Sequence, residues 1–141
     1  MEYLIGVVVA VAVAGLAAGM GFDRDRSFAP VVLIVIAFYY VLFAAIGGSR
    51  QTLTIETTVA TGFLLIALIG YKRNLGIVAA GIVGHGLFDF VHGLFINNPG
   101  MPSWWPGFCG AVDVLFGAWV ALLLVRRSNP ALSGRFPRTG L

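Results

Sequence analysis

Charge is scarce in this chain: 11% of its 141 residues are Asp, Glu, Lys or Arg, against about a quarter in a typical soluble domain. The deficit comes from long stretches with no charge at all, which excludes an ordinary soluble fold and points to membrane helices. Cysteine is rarer still. The lone Cys109 cannot close an internal disulfide, so redox compartment is not readable from it. No basic face is interleaved with aromatics, which argues against nucleic acid as a partner. Most of the nine basic residues flank apolar runs, so lipid headgroups and topology explain them first. No half of the chain repeats the other, and the inverted-repeat signature of many transporters is missing.

What is abundant is apolar sequence, 59% of the chain. It falls into five runs, about 3–21, 29–47, 52–70, 75–96 and 108–125, each long enough to cross ~30 Å of hydrocarbon at ~1.5 Å per residue. The expected fold is an all-α integral membrane protein with five transmembrane helices. One membrane domain is expected over 1–127, with a poorly ordered cytoplasmic tail over 128–141. Ala12-Val13-Ala14 looks like a signal-peptidase site, but only Glu2 precedes the first run where a positive region is required, so an uncleaved helix is expected. Five spans put Arg50 alone on the side of the amino terminus. Arg24, Arg26, Lys72, Arg73, Arg126, Arg127, Arg135 and Arg138 share the other side. The positive-inside rule then places the amino terminus outside and the carboxyl terminus in the cytoplasm.

Between the runs, Asp23-Arg24-Asp25-Arg26 reads as a solvated turn with local ion pairs, or as a site for an anionic headgroup. The segment 97–107 carries no charge, three prolines and Trp104-Trp105, and is expected to be non-helical. Its tryptophans suit an interfacial belt or a lid. Gly15 and Gly19 form a small-xxx-small pair that would allow close packing, including homo-oligomerisation.

The fourth run contains Gly84-His85-Gly86-Leu87-Phe88-Asp89-Phe90-Val91-His92, with both histidines of the chain. Helical spacing puts His85, Asp89 and His92 on one face. Ionisable groups in hydrocarbon are costly and normally face a bundle interior, which makes them functional candidates by default. Asp113 enters the fifth run from the same side of the membrane, and Glu56 the third. All five groups therefore fall in the outer half or near the midplane. Tyr39 and Tyr40 could orient the site, Arg50 could hold an anionic group at its mouth, and Trp104 and Trp105 could cover it.

Three functional readings compete with a purely structural His–carboxylate network. His85, Asp89, His92 and Asp113 form a mixed N/O set for a divalent metal, zinc before others, able to activate water against a lipid-like or apolar molecule. The same groups with Glu56 could do metal-free acid–base isomerisation or cyclisation. Transport of a proton or cation needs a path to the cytoplasm, and the inner half offers no charged residue for one. Both histidines lie on one helix face, so they cannot clasp a haem between them.

Phe22-Asp23-Arg24-Asp25-Arg26, the Gly84–His92 stretch, and Asn98-Pro99-Gly100 through Trp104-Trp105-Pro106-Gly107-Phe108-Cys109 resemble a family of small bacterial multi-span membrane proteins of unknown function. The resemblance implies a bacterial inner-membrane location and carries over no catalytic residue. A looser likeness to intramembrane sterol isomerases touches only His85 and Asp89 and is analogy.

Overall fold

Each apolar run becomes one helix, and local chemistry fixes its ends. In the computed structural model, which describes residues 1–129, the helices are α1 (Glu2–Met20), α2 (Phe28–Ile46), α3 (Arg50–Lys72), α4 (Leu75–Phe95) and α5 (Trp105–Ser128). All five are long and apolar enough to cross a membrane, and no strand occurs among the described residues. Gly21 stops α1 with φ 80°, a left-handed conformation that suits glycine. The Ser49 hydroxyl accepts from the Thr52 N–H at 3.2 Å, so α3 begins two residues before the expected 52. Asn74 Oδ1 accepts from the Gly76 N–H at 2.8 Å and opens α4. The tail expected over 128–141 lies outside the described residues from position 130.

The helices pack in the order α1, α5, α4, α3, α2, with α4 central and also touching α2. α1 rests on α5 and makes no substantial contact with α2. The ring is therefore broken between α1 and α2.

Loop contacts show which ends lie together. Arg26 donates to the Tyr71 carbonyl from Nε at 2.9 Å and from Nη2 at 2.6 Å. Arg127 pairs with Asp23 at 2.7 Å. These bonds gather the 21–27 turn, the end of α3 and the end of α5. At the opposite end the Thr52 hydroxyl donates to the Asn97 carbonyl at 3.0 Å, and Gly100 lies against the Phe43 carbonyl. An apolar core of Leu33, Val78, Ile82, Phe116 and Val120 fills the half nearer the basic turns.

Three expectations change. Asp23 and Arg26 bond to distant partners rather than within their own turn, because folding brings α3 and α5 ends beside them. Trp105, Pro106 and Gly107 are helical, since proline in a first helical turn forfeits no bond. Gly15 and Gly19 pack against no other helix of the chain, with nothing within 4 Å of a Cβ at either among the described residues. Close packing falls instead to Gly86, Gly110 and Gly117, where α4 and α5 touch backbone to backbone.

Candidate functional site

Polar residues in α3 satisfy themselves before they reach the site. Thr54, Thr57, Thr58 and Thr61 donate their hydroxyls to the carbonyl four residues back, at 2.7–3.0 Å, as threonines in apolar surroundings do. Glu56 has no such outlet and turns inward, 1% exposed.

Helical periodicity puts His85, Asp89 and His92 on the buried face of α4. Opposite them, α5 presents Cys109 and Asp113, one turn apart and likewise buried. Gly86 lets the two helices come close enough for these side chains to meet: a Cβ there would lie 2.8 Å from Asp113 Cβ.

The result is two linked clusters. In the first, His85 Nδ1 lies 2.7 Å from Asp113 Oδ2 and 3.6 Å from Asp89 Oδ2. The Cys109 thiol donates to Asp113 Oδ2 at 3.6 Å. One ligand atom from each of His85, Asp89, Cys109 and Asp113 falls within 4.8 Å of the others, so this buried group could hold a metal ion. Both Asp89 oxygens are buried without a hydrogen-bond partner among the described residues, a costly arrangement unless something else binds them.

In the second cluster His92 Nε2 lies 2.9 Å from Glu56 Oε1. Asn98 donates through Nδ2 to Glu56 Oε1 at 2.9 Å and to the Tyr40 carbonyl at 3.1 Å. His92 thus sits beside Glu56, and Cys109 occupies the place in the metal-capable group that His92 was expected to fill. The difference arises because Glu56 and Asn98 reach α4 from above, while α5 faces it one turn lower. The Tyr40 ring joins the clusters, 4.5 Å from the His92 ring and 5.8 Å from that of His85. Its hydroxyl is buried and unpartnered among the described residues.

Beside the first cluster, in the break between α1 and α2, lies a cavity of about 820 Å³. Ile5, Val9 and Val13 of α1 and Val32 and Ile36 of α2 form its apolar walls, and Cys109 and Asp113 form part of the α5 wall. Tyr39 and Trp105 also line it and pack edge to face at 5.3 Å. Trp104 is exposed at the mouth. Arg50 is exposed at the start of α3, and among the described residues no hydrogen bond or ion pair ties it to either cluster.

Sequence reasoning placed the five ionisable groups together but overlooked Cys109. Its spacing of four residues from Asp113 on a helix was the available signal. No protein-family model, characterised protein or solved structure matches the chain, so its chemistry is read from this geometry.

Proposed function

We propose that the protein is an intramembrane enzyme that uses a divalent metal, zinc before others, to hydrolyse a lipid-like or apolar small molecule. One observation carries the reading. Asp113 and Cys109 belong both to the buried metal-capable group and to the wall of the apolar cavity. A group able to hold a metal ion and an apolar compartment thus share two residues.

The donor set suits zinc, with imidazole nitrogen, carboxylate oxygen and thiolate sulphur. Ligands of one tetrahedral zinc lie about 3.3–3.5 Å apart. The separations of 3.6 Å between His85 and Asp89 and between Cys109 and Asp113 are close to that value. The 2.7 Å His85–Asp113 contact is a hydrogen bond. Its proton is what an ion would displace, and the wider separations of the group, within 4.8 Å, would have to close around the ion. Three protein ligands are enough for a catalytic ion, so His85, Asp89, Cys109 and Asp113 would hold one with a residue to spare. Bound there, the metal would acidify water and polarise a carbonyl. The protein's part is to orient His85 and Asp89 from α4 and to keep bulk water out.

The hydrogen bond itself favours a second reading, metal-free acid–base isomerisation or cyclisation by the His85–Asp113 pair beside the cavity. Conduction through the membrane gains less support, because the apolar core around Leu33, Ile82 and Phe116 stands below the clusters. The setting we propose is a bacterial inner membrane, amino terminus outside, with the cavity opening toward the outer face.

Element analysis of protein purified without added metal separates the readings. Stoichiometric zinc, manganese or iron that His85→Ala removes and His92→Ala retains is the expected result. A folded, metal-free protein would sink the metal reading and leave the acid–base one. Proton flux abolished by Asp89→Asn would replace both with transport.

A further inference from the structure

The cavity is a slot with two helical walls that do not meet. On α1 its lining residues Ile5, Val9 and Val13 recur every fourth position, one continuous stripe. On α2 Val32, Ile36 and Tyr39 form the facing stripe. From Glu2 to Val13 the slot follows about 16 Å of α1. Cys109 and Asp113 lie roughly 6 and 12 Å along α5 from its start at Trp105, so they meet the slot partway down, with aliphatic wall above and below. The break between α1 and α2 faces outward from the bundle, where acyl chains would be in a membrane.

Cationic side chains are missing from the slot. Its lining contains the side-chain carboxyl groups of Glu2 and Asp113 and, among the described residues, no lysine or arginine. The amino group of Met1, at the mouth, is engaged by Glu2 at 3.2 Å. Most cations of the described residues stand at the opposite end of the bundle, around Arg26 and Arg127. An anionic headgroup drawn down the metal-free slot would leave water for a low-dielectric wall with no cationic side chain to meet it, which is strongly unfavourable. One donor is available for an uncharged oxygen: Trp105 lines the slot, and its Nε1 is buried without a partner among the described residues.

We infer that the slot between α1 and α2 admits one uncharged lipid sideways from the bilayer, with its hydroxyl or carbonyl oxygen brought to the wall that carries Trp105, Cys109 and Asp113. This narrows the substrate class of the proposed enzyme and rests on that reading for its chemistry, but not for binding. Anionic phospholipids are disfavoured by the lack of a cationic side chain on the slot's walls, and water-soluble molecules by its aliphatic surface.

Photolabelling of the full chain in lipid nanodiscs tests it. The probes are hexadecanol and phosphatidylglycerol, each carrying a diazirine at the same chain depth, with labelled peptides mapped by mass spectrometry. The protein is stripped with chelator, so neither metal nor turnover enters the readout. The hexadecanol probe is expected to label the slot faces of α1 and α5 about tenfold more than the phosphatidylglycerol probe. Val9→Trp and Val13→Trp, which narrow the slot from a half-exposed helix, are each expected to cut that labelling about tenfold. Gly15→Trp, on the outward face of α1, leaves it unchanged. Equal labelling of the slot by both probes would overturn the inference. So would full hexadecanol labelling in both narrowing variants, whether or not the protein proves to bind metal.

Discussion

Gly86→Ala tests whether the approach of α4 to α5 builds the site. The new Cβ would lie 2.8 Å from Asp113 Cβ, 2.9 Å from the Gly110 carbonyl and 3.0 Å from Val114 Cγ2. Carbon atoms in contact prefer about 3.5–4.0 Å, so the helices must part by roughly 0.7–1 Å at this level. Metal and catalytic constellations tolerate about 0.5 Å. The displacement separates His85 and Asp89 on one helix from Cys109 and Asp113 on the other. Overpacking of this kind costs about 1–3 kcal/mol, partly offset by up to ~1 kcal/mol from replacing a helical glycine with alanine. Gly84→Ala supplies the control, two residues away on the same helix with nothing within 4 Å of its Cβ. It collects the propensity gain without the clash. Unfolding in mixed detergent micelles should therefore find Gly86→Ala about 1–3 kcal/mol less stable than Gly84→Ala. Metal content after purification should fall in Gly86→Ala alone. If the two variants match in both stability and metal, the close glycine contact does not position the cluster and the reasoning fails.

Two further outcomes follow from the separate roles of the clusters. His92→Ala leaves Glu56 buried without its imidazole, and the expected loss is about 3–5 kcal/mol. Metal content stays at the wild-type level, and Glu56→Gln in the same background recovers part of the loss. A metal-free His92→Ala protein would put His92 back among the ligands. Cys109→Ser keeps the fold but weakens zinc binding by about tenfold or more, because the softer thiolate donor is gone. Competition with a zinc chelator measures it, and an unchanged affinity would remove Cys109 from the set.

Much of the site was legible because one helix carries much of its chemistry. His85, Asp89 and His92 share a face by spacing alone, and the cost of ionisable groups in hydrocarbon drives such faces inward. Asp113 and Glu56 joined them by depth, which helix rise converts from residue number. The partners were not legible. Whether His92 meets Asp89 or Glu56 depends on side-chain rotamers and on Asn98, which a proline-rich segment delivers from outside the helix. Cys109 escaped notice because a thiol in an apolar run reads as a small hydrophobe.

Apolar run length and the scarcity of charge determined the five helices and their approximate ends, since each is a property of local sequence. Tertiary structure alone decided that α1 sits on α5 and leaves α2 uncovered, that Gly86 rather than Gly15 or Gly19 makes the close approach, and that the resulting slot reaches Asp113. The reason is physical. A helix forms from bonds within its own segment, whereas its neighbours are chosen by the shapes of surfaces far apart in the chain.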